Sequence, residues 1–146
     1  MPPFLRNTLA VLAGLAVGSI VNIMLVNVGP SVVPLPEGAD VSTIEGLAAS
    51  MHLFKPANFL FPFLGHAVGT LVGAFIAAKF ADSHEIQFAL VVGLFSLAGG
   101  IAAVVMFGGP LWFKAADLLL AYIPMAFLGA RLAGVPQRAR ADSSFA

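Results

Sequence analysis

Residues 59–80 read FLFPFLGHAVGTLVGAFIAAKF, an apolar run in which His66 is the only titratable side chain before Lys79. A helix crossing the hydrocarbon core of a bilayer needs roughly 20 such residues, so the run predicts a membrane span over about Phe59–Phe80. Gly65, Gly69, Gly73 and Ala77 recur in it at every fourth position and form one stripe. Small residues at that spacing let helix backbones approach closely, which matters in lipid, where no hydrophobic drive pulls helices together. His66 lies next to the stripe. An ionisable side chain at that depth is costly and normally faces a partner, a cavity or a pathway.

Three further runs of the same kind flank this one, at about Thr8–Val28, Ile86–Phe107 and Trp112–Leu132. Together they predict an all-α fold: four transmembrane helices in up-down order, forming a single integral membrane domain over residues 1–146. The composition agrees. The chain is 60% hydrophobic and 10% charged, against about 25% charged in soluble domains, and its mean hydropathy is +0.99. A formal charge of +0 excludes the basic footprint of a nucleic-acid-binding protein. The absence of cysteine removes disulfides, thiolate nucleophiles and cysteine-held metal clusters. Arg6 followed by an apolar run resembles a secretion signal, but the run is longer than the roughly 7–15 residues of a signal core and ends without a small-x-small cleavage site. It is read as a retained helix.

Orientation follows from the basic residues beside the spans. Arg6, Lys79, Arg131, Arg138 and Arg140 fall on one side, Lys55 and Lys114 on the other. Both termini, including a tail over residues 133–146, are therefore expected in the cytoplasm of a bacterium, with the spans in its inner membrane. The long loop 29–58 is expected outside. It opens on Gly29-Pro30 and the turn-forming run Pro34-Leu35-Pro36-Glu37-Gly38. Ser42-Thr43-Ile44-Glu45 then reads as a capping box that starts a short external helix, about Thr43 to Phe54. Ile44, Leu47, Ala48 and Met51 give that helix an apolar face, and Glu45 and His52 share another. Lys55-Pro56 ends it. Between spans two and three, Asp82 is placed to cap the helix that follows the short polar turn Asp82-Ser83-His84-Glu85.

The candidate chemistry lies in a few intramembrane polar residues. At 1.5 Å per residue, Asn22 is about 9 Å inside the outer end of span one, His66 about 10 Å inside span two and Asp117 about 7 Å inside span four. Three helices thus bring polar groups to one level in the outer half of the bilayer, with Tyr122 somewhat deeper as a further hydroxyl. Each has a plainer alternative. Asp117 can pair with Lys114 three residues before it, His66 can bond to a carbonyl or to Asn22, and Asn22 can hold helices together. If the external helix folds over the bundle, Glu45 and His52 join His66 and Asp117 as a set suited to a divalent metal. Their spacing matches no recognised metal motif, and the residues assign no cofactor. Only His66 is clearly within a span, which counts against a haem held by two histidines. Phe59, Phe61, Phe63, Trp112 and Phe113 read as anchors at the outer interface, or as the flanks of an opening for a lipophilic ligand.

Gly14 and Gly18 in span one, with Gly65, Gly69 and Gly73 in span two, are the expected helix-packing positions. They serve within one protomer or between copies in a homo-oligomer. Three functions fit these features. The first is a small membrane protein that binds or passes a solute, proton or ion through a polar site built from Asn22, His66, Asp117 and Tyr122, gated by Glu45 and His52. The others are an accessory subunit of a larger membrane complex, surrounded otherwise by lipid, and a metal-assisted enzyme acting on a lipid or quinone.

Overall fold

The computed structural model describes residues 1–134, so Arg138, Arg140 and most of the expected tail lie outside the described residues. All regular structure among the described residues is helical. Helix α1 spans Pro3–Val32, α2 Ile44–Ser50, α3 Leu60–Phe80, α4 Glu85–Phe107, α5 Leu111–Leu120 and α6 Ile123–Leu132. Short 3-10 turns at Met51–Leu53 and Pro56–Phe59 lead from α2 into α3. Among the described residues, four helical segments are long and apolar enough to cross a membrane: Pro3–Val32, Pro56–Phe80, Glu85–Phe107 and Leu111–Leu132. Their outward faces carry exposed Ile23, Met24, Leu94, Phe95, Val105 and Leu119. In water such a surface would be strongly unfavourable; lipid solvates it.

The closest packing joins α1 to α3. A Cβ on Gly18 would lie 2.6 Å from the Gly69 carbonyl oxygen, and one on Gly69 would lie 2.7 Å from that of Gly18. Gly73 and Gly14 face each other in the same reciprocal way, and Gly65 faces Asn22. Every four-residue step forward along α1 meets a four-residue step back along α3, so the two helices are antiparallel and touch backbone to backbone. Gly129 brings α6 equally close to α3, against the Leu71 carbonyl and Phe75 nitrogen. The centre at this end is built of alanines: Ala74, Ala77, Ala78, Ala89, Ala126 and Ala130 are buried around Val92, with Val11 and Leu15 of α1 packed against them.

α1 continues past the expected end at Val28. Pro30 lies within its last turn, where its missing N–H deletes only one bond of the ladder. Gly29 is buried, a Cβ there being 2.8 Å from that of Phe61, and the Val33 N–H donates to the Gly29 carbonyl at 2.8 Å. The close fit against α3 carries the helix through the proline. The short helix α2 also departs from expectation. Ser42 does not cap it, because its N–H and Oγ both donate to Asp40 Oδ1, at 2.9 and 2.6 Å. Thr43 caps instead, its Oγ1 accepting from the Gly46 N–H at 2.9 Å. That shift puts a glycine where a capping box needs glutamate, and the α-helix stops at Ser50. At the turn before α4, Asp82 does not cap. It pairs with Arg6 at 3.3 Å and its N–H donates to Asn7 Oδ1 at 2.7 Å, clamping the start of α1 to the end of α3. His84 begins α4 with a left-handed backbone, φ 55°.

The last span is two helices, where the sequence predicts one. The ladder runs to the Ala121 N–H, which donates to the Asp117 carbonyl at 3.0 Å, and resumes where the Ala126 N–H donates to the Tyr122 carbonyl at 2.8 Å. Pro124 lacks an N–H, and its ring crowds the carbonyl four residues back. Tyr122 takes up the bend at φ −116°, ψ −80°. A backbone break at membrane depth is tolerated where protein or a cavity surrounds it, and Ala121 and Tyr122 are both buried.

Candidate functional site

Tyr122 stands at this break, and its hydroxyl points back to α5. The Oη donates to Asp117 Oδ2 at 2.9 Å, while His66 Nδ1 lies 2.8 Å from Asp117 Oδ1. Two side chains, from α3 and from the break, therefore close on the carboxylate that α5 presents, and Asp117 is 1% exposed. An unbroken helix would set residues 117 and 122 about 140° apart, at roughly 3.6 residues per turn. The bend is what lets the tyrosine reach. The His66 and Tyr122 rings also stack, with centroids 5.7 Å apart and planes at 30°. Lys114 is not among the partners of Asp117 in the described structure, so the local i, i+3 pairing gives way to contacts between elements.

With Asp117 ionised, its carboxylate only accepts hydrogen bonds, and the His66 Nδ1 facing it is then the nitrogen that carries a proton and donates it. The other ring nitrogen, Nε2, then has its lone pair free when the ring is neutral. A carboxylate that fixes one imidazole nitrogen in this way sets the tautomer and orients the ring for proton transfer or ligand binding at the other. The His66 side chain is 21% exposed against 2% for Asp117. It meets the space outside the cluster, whereas Asp117 does not.

That space is a cavity of about 390 Å³ between α1, α3 and α4, with Tyr122 and His66 on its wall. Asn22 lines it too, together with Ser19, Thr70 and Ser96. Among the described residues, Asn22 Oδ1 is buried without a hydrogen-bond partner. It is tucked against the backbone of Gly65, where a Cβ would come within 2.7 Å. A C–H of glycine is a weak donor, so the oxygen fits on that side, and the same side chain stands on the cavity wall. Asn22 and His66 share this cavity without a hydrogen bond between them.

Glu45 and His52 lie elsewhere. Both are exposed, and His52 Nδ1 is 2.7 Å from the Ala49 carbonyl of its own turn. α2 packs against α4 rather than across the cavity, and Met51 rests by Gly109. No three histidine or acidic side chains among the described residues are arranged to hold a metal ion. The aromatic residues expected as interface anchors divide: Trp112 is half exposed, whereas Phe59 is buried at the centre of a cluster with Phe54, Trp112 and Phe113 at 5.9, 5.5 and 4.6 Å.

Sequence reasoning passed over the glycines of α4. Gly100 packs beneath the Tyr122 ring, where any Cβ would collide with it, and Gly99 meets nothing within 4 Å at the cavity edge. The adjacent pair Gly99-Gly100 in mid-span was the available signal, since a glycine inside a helix is costly unless something approaches it. No protein-family model matches the chain, and neither a curated protein nor a solved structure matches it.

Proposed function

We propose that this chain is a small multi-pass protein of a bacterial inner membrane that binds a small solute or proton in its central cavity and passes it through a His66-centred polar site. The single observation carrying the proposal is the buried Asp117 carboxylate, bonded by His66 on one oxygen and Tyr122 on the other, at the wall of a cavity. A purely structural role would not require the titratable ring to face open space. In this reading His66 takes up and releases a proton at Nε2, Asp117 is its counter-charge, Tyr122 holds Asp117 in place and Asn22 orients what binds. Alternating, up-down spans with both termini cytoplasmic are part of the same proposal. The antiparallel contact of α1 with α3 and the basic residues Arg6, Lys79 and Arg131 support them.

The accessory-subunit alternative draws least support from the packing. An accessory subunit would need a glycine ladder open to another chain, and α1 of the same chain occupies the ladder of α3.

The test has two parts. In lipid-reconstituted protein with nitrogen-15 histidine, the ring shifts should report a proton on Nδ1 of neutral His66, and Asp117→Asn should abolish that preference. In liposomes loaded with a pH dye, the parent should dissipate an imposed proton gradient faster than His66→Gln or Asp117→Asn. A His66 tautomer indifferent to Asp117, or proton movement equal in all three proteins, would overturn the proposal.

A further inference from the structure

The cavity opens sideways. α1 and α4 meet toward one end, where Val11 and Leu15 pack against the cluster around Ala89 and Val92, and they touch far less than α1 and α3 do. Beyond that meeting point they part, and the cavity occupies the gap, bordered at its edge by the exposed Ser19, Phe95 and Gly99. Ile20 and Leu94, beside this edge, are 56% and 57% exposed on the apolar perimeter of the bundle. Whatever enters between α1 and α4 therefore comes out of the lipid, and a freely hydrated solute is a poor fit to that route.

The lining narrows the ligand further. Most of it is apolar or backbone: Leu15, Val92, Phe95, Ala103 and the glycines. Among the polar residues, Ser19 stands at the edge, Asn22 supplies a side-chain amide, and His66 supplies a ring whose Nε2 is not taken by Asp117. The stacked rings of His66 and Tyr122 add a flat aromatic surface at the same place. About 390 Å³ is in the range of small-molecule sites, which hold mostly apolar ligands with a few placed polar contacts. We propose, resting on the function given above, that the site takes an amphiphile from the lipid phase. Its head group is a planar ring bearing oxygen, of the quinone or hydroquinone class, and its apolar tail leaves through the gap between α1 and α4. One ring oxygen accepts from the Asn22 amide; the other meets His66 Nε2, as donor in the hydroquinone or as acceptor when the imidazole is protonated. Only binding and hydrogen bonding are assigned, with no electron transfer.

The experiment uses the full chain in phosphatidylcholine–phosphatidylglycerol nanodiscs and a decyl-tailed benzoquinone carrying a photoreactive azide on its ring. Cross-links should fall on α1 near Ser19–Asn22 and on α4 near Ser96–Ala103. Unlabelled decylubiquinone should compete, whereas decanoic acid should not. Gly99→Phe, at a helical position whose Cβ meets nothing within 4 Å, should plug the gap and lower labelling about tenfold. The His66 tautomer should stay as in the parent. Gly99→Val provides a smaller plug, and the competition needs no variant at all. Labelling confined to the Phe59–Trp112 cluster, labelling that survives Gly99→Phe in a folded protein, or equal competition by decanoic acid would each overturn the assignment. If labelling fails while the tautomer still depends on Asp117, the ligand class falls and the proton site stands. If the tautomer ignores Asp117, both fall.

Discussion

Tyr122→Phe removes one hydroxyl and leaves Asp117 Oδ2 buried without its donor. The expected loss is about 1–3 kcal/mol, the usual cost of an orphaned buried polar atom, visible as a lower melting midpoint in detergent. Ser42→Ala addresses a different carboxylate. Asp40, exposed in the loop before α2, is held below its usual value of 3.8 by the Ser42 hydroxyl first and the Ser42 N–H second. A depressed carboxylate stabilises the loop above its unfolded value and loses that contribution as pH falls through the folded one. The variant should raise the Asp40 titration toward 3.8 and flatten the loop's response to acid, read from the carboxyl carbon shift. Asn22, His66 and Asp117 were visible in the sequence because each is polar where polarity is costly. Their common depth grouped them with Tyr122, but the pairing within the group was not visible: Lys114 is three residues from Asp117, and nothing local says that a histidine on another helix takes its place.

At the scale of the element, the number and approximate place of the spans were legible from length and apolarity, whereas α1 runs over Pro3–Val32 beyond both expected limits and the irregularities were only partly legible. Pro124 marks the site of the break, yet prolines also sit in α1 and at the start of α3 without dividing them. Pro62 falls in the first turn of α3, where no ladder bond is lost; for the other two the difference is tertiary, since Tyr122 has a carboxylate to reach, whereas Pro30 has Gly29 seated on Phe61. The α1–α3 seam makes the clearest prediction. Gly69→Leu would drive a side chain into the Gly18 carbonyl, 2.7 Å from the Cβ position. Backbone cannot rotate aside as a side chain can, so the cost should reach or exceed the roughly 1–3 kcal/mol of ordinary overpacking. Loss of the folded, monodisperse species in size-exclusion chromatography would register it; a variant melting like the parent would refute it.

For the whole molecule, the distribution of basic residues predicts both ends of the chain on the cytoplasmic side. Reporter fusions at Ala146 and within residues 34–38 should be active on opposite sides of the membrane, and strong periplasmic activity at Ala146 would reverse the topology. All-helical architecture was readable from four apolar runs, because lipid leaves helices as the economical way to satisfy the backbone of such segments. The cavity was not readable. It arises from the divergence of α1 from α4, a relation between two helices that share no sequence signature.

The seam between α1 and α3 also bears on how the chain is made. The α1 segment has mean hydropathy 2.4 and is largely unburied by the rest of the protein, so it is suited to leave the insertion machinery alone; the α3 segment has 1.8 and is the more buried of the two. With His66 and three glycines, α3 is the weaker entrant, and its most complementary surface is a helix synthesised earlier. The seam therefore predicts that α1, already in the membrane, serves as a template for the next span to leave the translocon. A nascent chain whose Gly14 and Gly18 are both leucine should insert its first span normally and its second less efficiently, as scored by protease protection of the loop between α3 and α4.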